Sequence, residues 1–155
     1  MEQKLTSFFW FENDLREVIA YYQGIFNREG QSHFEEVTHN VMLDMPGQKV
    51  ELSTVKIFGN TYHFMGAKRY VDFNDSISLM ITTEDQEETD YYWDAFTKDG
   101  AESACGWCKD KYGLSWQITP KKLMELNSSS DKDVASYAMQ QMMGMKKIVI
   151  KDLEK

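Results

Sequence analysis

The chain has 155 residues, of which 42% are hydrophobic and 14% aromatic, enough for a packed core and too apolar for a disordered chain. Its 17 basic and 25 acidic residues give a formal net charge of −8, which argues against nucleic acid or an anionic membrane as a partner. No apolar run approaches the roughly 18 residues of a membrane span or forms a signal-peptide core, so we expect a cytoplasmic protein.

The first half of the chain predicts a strand, a helix and three more strands. Apolar residues with helical spacing define the helix at 14–26: Leu15, Val18, Ile19, Tyr22 and Phe26. Asp14, with Glu17 three residues later, is a typical start signal for this helix. The strands are expected at 4–11, 32–44, 49–58 and 61–65.

The second half predicts the same order of elements. A strand at 77–82 precedes a helix at 86–98, which Thr83 and Gln86 are expected to cap, and short strands end at 114–119. Placing Asp14 on Asp85, 71 positions later, aligns paired aromatic residues in both helices. We interpret this match as an internal duplication.

The remaining residues predict a C-terminal helical extension. The polar run 127–130 is expected to cap a helix over roughly 131–145, and residues 148–150 to be extended. The sequence thus predicts an α+β protein with one domain over residues 1–155. Its first module spans about 1–72, its second about 73–120, and the extension about 121–155.

The glycine positions exclude the standard nucleotide-binding loops. None of the 9 glycines form a Gly-x-Gly turn, so the sequence lacks the loop that admits a dinucleotide or adenosyl cofactor. No pair has the spacing of a phosphate-binding Gly-x-x-x-x-Gly-Lys loop. No Gly-x-Ser-x-Gly sequence marks a serine nucleophile.

Cys105 and Cys108 form a Cys-Gly-Trp-Cys sequence. A redox dithiol of this spacing normally lies at a helix start, whereas the residues that follow here indicate a turn and a strand. Zinc would need further ligands, and the chain has no second cysteine pair. Ordinary free thiols are therefore the favoured interpretation.

One continuous motif carries a family resemblance, the run from Cys105 to Pro120, CGWCKDKYGLSWQITP, preceded by the acidic helix in 84–93. It resembles the PhnB-like branch of the vicinal oxygen chelate superfamily, which is also catalogued as 3-demethylubiquinone 3-methyltransferase. The resemblance implies the glyoxalase/bleomycin-resistance fold, in which tandem βαβββ modules form a cupped mixed sheet. It also implies a homodimer.

Metal-dependent members of that superfamily hold a divalent ion through the first and last strand of each module. By resemblance, the first-strand positions fall on Ser7 and Ser78. The last-strand positions fall on Gln117 and near Met65, with His63 on the same strand face. Divalent cations prefer imidazole and carboxylate ligands, so we expect no metal cofactor.

Side-chain alternation along the strands predicts which residues line the cup. The expected pocket-lining residues are Ser7, Phe9, Phe11, His63, Met65, Ser78, Met80, Ser115 and Gln117. Those expected to face the helices instead are Phe8, Trp10, Ile77, Leu79, Ile81, Trp116 and Ile118. The predicted pocket is apolar with a few hydroxyl groups and one amide, which suits a small molecule, and it has no obvious general base.

Three functional hypotheses follow. The first is a metal-free protein that binds a small, partly apolar molecule in the cup. The second is a lyase, dioxygenase or group transferase of the same fold, with a divalent metal held by His63, Gln117 and waters. The third is a thiol-redox protein that uses Cys105 and Cys108.

Overall fold

The computed structural model describes residues 2–155, and the chain divides into two compact units, Met1–Val71 and Asp72–Lys155. Each unit contains a four-stranded mixed sheet with a helix between its first two strands. The predicted α+β class and the repeated βαβββ order are both confirmed. Within residues 2–155, none of the helices is both long and apolar enough to cross a membrane.

The first unit contains one helix and four strands: β1 Ser7–Phe11, α1 Leu15–Phe26, β2 Phe34–Met45, β3 Gln48–Ile57 and β4 Asn60–Gly66. The sheet order is β1-β4-β3-β2, with β1 parallel to β4 and the other pairs antiparallel. Helix α1 connects β1 to β2, which are the two edge strands of this sheet.

Helix α1 follows the predicted pattern closely. The Asp14 side chain accepts a hydrogen bond from the Arg16 amide at 2.8 Å, which satisfies one of the free amides at the start of the helix. The predicted apolar stripe is buried, together with Ile25. This stripe packs on the sheet, where Tyr22 contacts Phe64 at a centroid distance of 5.8 Å.

The second unit begins with β5 Ser78–Thr83 and α2 Gln86–Thr97, followed by β6 Ala101–Glu102, β7 Trp107–Lys109 and β8 Ser115–Pro120. The sheet order is β5-β8-β7-β6, with β5 parallel to β8. Helix α2 buries Thr89, Tyr92, Trp93 and Phe96. Phe96 stacks on Trp116 of β8 at a centroid distance of 4.4 Å, which joins helix and sheet.

The start of α2 differs from the prediction. The cap is Asp85, whose side chain accepts from the Glu88 amide at 2.9 Å, rather than Thr83. Thr83 still belongs to β5, and its buried hydroxyl lies 2.6 Å from the Thr89 hydroxyl. Asp14 and Asp85 therefore cap equivalent helices, as the duplication implies.

The C-terminal segment belongs to the second unit and forms α3 Lys121–Asn127, α4 Lys132–Met143 and a 3₁₀ turn at Ile150–Asp152. Helix α3 was not predicted, because it begins directly after Pro120 without a capping side chain. Asp131, rather than the polar run before it, caps α4. The extended prediction at 148–150 is wrong at Ile150. These elements share a small core: Leu123, Leu126, Ala138, Ile148 and Leu153.

Candidate functional site

The two faces of β1 are the reverse of the prediction. Phe9 and Phe11 are buried on the α1 side of the sheet, where Phe11 contacts Phe64 at a centroid distance of 5.1 Å. Phe8, 56% exposed, and Trp10 alternate with them and lie on the opposite face. The prediction that Phe9 and Phe11 line an open pocket is therefore wrong.

A one-residue difference between the repeats explains this error. Two residues, Glu12 and Asn13, separate the end of β1 from the capping Asp14, whereas only Glu84 separates the end of β5 from Asp85. An alignment of Asp14 with Asp85 therefore places each residue of β1 one position away from its structural equivalent in β5. Such a shift moves every side chain to the other face of the sheet.

The face of the first sheet opposite α1 is called here the first open face. Six side chains occupy its centre: Phe8, Trp10, Leu52, Thr54, His63 and Met65. Phe8 pairs with His63 and Trp10 with Met65 between β1 and β4. The predicted His63 and Met65 are thus together on this face, while Ser7 has the parity of Phe9 and does not join them.

Polar contacts on the first open face are few. The Nδ1 atom of His63 lies 3.1 Å from the Thr54 hydroxyl, and its ring lies 6.2 Å from that of Phe8. The Trp10 indole N–H donates to the Ala67 carbonyl oxygen at 2.9 Å. Trp10 therefore presents its apolar ring, and not its N–H group, on this face. The result is an aromatic surface with one half-buried imidazole.

The second open face, defined by Ser78, Met80, Ser115 and Gln117, lies opposite α2 in the second unit. Gln117 Nε2 donates to the Ser78 hydroxyl at 2.9 Å. Ser115 has the parity of this face but is fully buried, and its hydroxyl donates to Asp75 at 2.6 Å, so the prediction that it lines an open pocket is wrong. Four of the five residues expected to face the helix, Leu79, Ile81, Trp116 and Ile118, have the parity of the α2 side. Ile77 precedes β5 and is 69% exposed, so its predicted orientation is wrong.

The family metal positions do not form a ligand set suited to a divalent ion. In the second unit, the Gln117 side chain is hydrogen-bonded to Ser78. In the first unit, the open face carries the imidazole of His63 beside Phe8 and Met65. Among residues 2–155, no group of three or more His, Cys, Asp or Glu side chains is arranged to hold a metal. The donors present do not fit the imidazole and carboxylate set that such an ion prefers.

The Cys105–Cys108 pair does not have the character of a redox dithiol. Cys108 lies in β7 and is buried. Burial, with a smaller contribution from the charge of Asp110, raises the pKa of the Cys108 thiol to about 12. Because the thiolate is the nucleophile in thiol exchange, a thiol with this pKa is inert at neutral pH.

We expect Cys108 to resist alkylation in the folded protein. In a Cys105→Ser variant, iodoacetamide at pH 8 should label Cys108 negligibly in buffer and completely in urea, because the thiolate forms only near pH 12 in the fold. Mass spectrometry of the labelled protein measures both states. Rapid labelling in buffer would contradict the buried, protonated thiol.

A buried carboxylate that is not among the predicted site residues lies at the start of α1. Glu51 of β3 is 2% exposed, and its Oε2 atom accepts from the Leu15 amide at 3.1 Å. Its Oε1 atom lies 3.3 Å from both Lys49 Nζ and His39 Nε2. The signal was present, because Glu51 shares strand parity with the buried Val55 and with Ile57.

A cavity of about 410 Å³ adjoins this carboxylate, within the first unit. Its charged lining residues are Glu12, Asp14, Lys49, Glu51 and Lys68. Lys49 bridges Asp14 and Glu51, and its hydrogen bond is the main cause that lowers the pKa of the Asp14 carboxyl. Because Lys49 pairs with both Asp14 and Glu51, and Glu51 accepts from the Leu15 amide, we assign the cluster to stabilising the start of α1.

Two tandem βαβββ units, each on a mixed sheet, define the glyoxalase/bleomycin-resistance fold of the vicinal oxygen chelate superfamily. A family within this superfamily also matches the sequence. The family described as 3-demethylubiquinone-9 3-methyltransferase matches residues 3–119. The chain belongs to this family, the PhnB-like proteins.

Solved structures agree with this membership. A PhnB protein from Bacillus cereus, provisionally described as a 3-demethylubiquinone-9 3-methyltransferase, is 30% identical, with a TM-score of 0.60 over 76% of this chain and 99% of that one. The fosfomycin resistance protein FosX from Listeria monocytogenes is 17% identical, with a TM-score of 0.58 over 81% and 97% of the two chains. A FosX structure with Mn(II) and sulfate is 16% identical, with a TM-score of 0.53 over 75% and 90%. The FosX matches show the fold alone. No curated protein matches the chain.

Proposed function

We propose that this protein binds a small, partly apolar molecule on the first open face, without a metal ion. The observation that supports the proposal most is the pairing of Phe8 with His63, which places an exposed aromatic ring beside a half-buried imidazole. Exposed aromatic rings with one convergent polar group are typical of small-molecule sites. Methyl transfer is not proposed, because the sequence lacks the Gly-x-Gly loop of adenosyl cofactors.

The alternative is a metal-dependent enzyme of the same fold, and the Mn(II)-bound FosX structure is the observation that favours it. The donors that this alternative names are His63 in the first unit and Gln117 in the second, each taken within its own unit. They would supply one imidazole nitrogen and one amide oxygen, which is a weak donor set. We also propose a homodimer, as the family resemblance implies, which light scattering of the purified protein would test.

Elemental analysis and thermal unfolding separate the two candidates. We expect untagged protein to contain far less than one metal per chain, and we expect Mn²⁺, Ni²⁺, Zn²⁺ and Fe²⁺ to leave Tm unchanged. Ligand binding to the folded state would raise Tm by mass action. Near-stoichiometric metal, or a large Tm increase with one ion, would contradict the proposal of metal-free binding and favour the metal-dependent enzyme.

An aromatic probe tests the location of the site. We expect 2-naphthol to bind the wild-type protein and to bind more weakly to Phe8→Ala, because Phe8 is the most exposed ring at the centre of the first open face. Met80→Ala removes a similarly exposed apolar side chain from the second open face and is the matched control. Binding that is weakened equally in both variants, or in neither of them, would contradict the assignment of the site to the first open face.

A further inference from the structure

One imidazole nitrogen is left available on the first open face. His63 Nδ1 is engaged by the Thr54 hydroxyl at 3.1 Å, and the two residues are directly paired between β3 and β4. Within residues 2–155, the structure shows no hydrogen-bond partner for His63 Nε2. The Thr54 contact also restrains the ring, so Nε2 is held in one direction.

The surroundings of that nitrogen are mostly apolar. Phe8 lies beside His63, and Met65 follows it on the same face of β4. The other polar side chains on this face include Thr54, which is engaged by His63, its β2 partner Thr38 on the far side of Thr54, and the next pair along the strands, Thr61 with Lys56. Residues two apart in a strand are separated by roughly 7 Å, so a small ring beside His63 would meet a single polar anchor.

We infer that His63 is the specificity-determining residue of this face, and that its Nε2 atom binds the hydroxyl of a phenolic ligand stacked on Phe8. This inference rests on the proposed function and names its ligand class. The ring supplies apolar area to Phe8 and Trp10, and the hydroxyl supplies a hydrogen bond to His63 Nε2. Thr54 is a positioning residue, since it acts on the ligand only through His63.

The phenolic class follows from hydrogen-bond chemistry. If Thr54 donates to Nδ1, then Nε2 carries the proton and donates; if Thr54 accepts, then Nε2 is an acceptor. A phenol hydroxyl can both donate and accept, so it matches either tautomer. A hydrocarbon ring would leave the half-buried nitrogen without a partner, which weakens binding.

Two isosteric probes test the anchor. Wild-type protein should bind 2-naphthol about threefold to tenfold more tightly than 2-methylnaphthalene, as one hydrogen bond provides. His63→Phe should abolish this preference, because it removes the ring nitrogen and keeps an aromatic side chain that can still contact 2-methylnaphthalene. His63→Gln keeps a polar group and should retain part of the preference. Calorimetric titration measures the affinities, and thermal unfolding checks that each variant is folded.

The role of Thr54 has its own readout. Thr54→Val should change the ¹⁵N chemical shifts of the His63 ring nitrogens and reduce the preference for 2-naphthol, whereas Thr54→Ser should preserve both. Thr61→Val is the matched control, because it lies on the same face without a bond to His63. Unchanged imidazole shifts in Thr54→Val would overturn the positioning role.

The outcomes distinguish this inference from the proposed function. Binding of both probes with equal affinity, unchanged in His63→Phe, would overturn the phenol anchor and leave an apolar binding face. Binding of neither probe to the wild-type protein would overturn the binding function itself, and the anchor with it.

Discussion

Replacing Phe11 with alanine is expected to lower the free energy of unfolding by about 3–5 kcal/mol. Phe11 is fully buried between the first sheet and α1, with ring centroids 5.1 Å from Phe64 and 6.0 Å from Tyr22. Truncation removes apolar contacts on both sides and leaves a cavity that the packed helix cannot fill. Urea denaturation followed by circular dichroism measures the loss.

Phe8→Ala is the matched control for this prediction, since it changes the same residue type in the same strand. Phe8 is 56% exposed on the opposite face, so we expect a change within about 1 kcal/mol. The comparison tests the orientation of β1 directly. A larger loss for Phe8→Ala than for Phe11→Ala would mean that the strand faces are those predicted from the sequence.

Replacing Glu51 with leucine is expected to destabilise the fold by about 2–4 kcal/mol. The buried carboxylate accepts from the Leu15 amide at the start of α1 and lies 3.3 Å from Lys49 Nζ. Without it, the amide loses its partner inside the protein, while Lys49 can still pair with Asp14. We therefore also expect faster hydrogen exchange of the first amides of α1.

Glu36→Leu provides the control for the Glu51 variant. Glu36 pairs with Arg16 at 2.6 Å near the same end of α1, and both side chains reach solvent, Glu36 being 27% and Arg16 52% exposed. Exposed ion pairs contribute little, so we expect a loss below about 1 kcal/mol. Equal losses for the two variants would contradict the distinction between the buried carboxylate of Glu51 and the partly exposed carboxylate of Glu36.

Much of the secondary structure could be predicted because local periodicity encodes it. The stripe from Leu15 to Phe26 repeats with the period of a helix, and the structure buries it. The helix at Lys132–Met143 was expected as well, whereas α3 was not, because a seven-residue helix beginning at Pro120 carries little periodic signal. The specific run from Cys105 to Pro120 indicated the family that the comparisons show.

The candidate site could be predicted only in part. His63 and Met65 share a strand, so their common face follows from alternation alone. Their partners on β1 depend on which register the strand takes before α1. The one-residue difference between the two strand–helix connections reversed that choice, and Phe8 and Trp10 took the places expected for Phe9 and Phe11.

The amino-acid sequence by itself determined the class of fold, the two repeated units and the family, because these depend on patterns between neighbours along the chain. The tertiary structure alone decided which face of β1 is open, that Glu51 accepts from the Leu15 amide, and that Thr54 holds His63. Glu51 lies 36 residues from Leu15 in the sequence, and it accepts a hydrogen bond from the Leu15 amide. Contacts at such separations arise only when strands pair and a helix packs on them, so no local pattern records them.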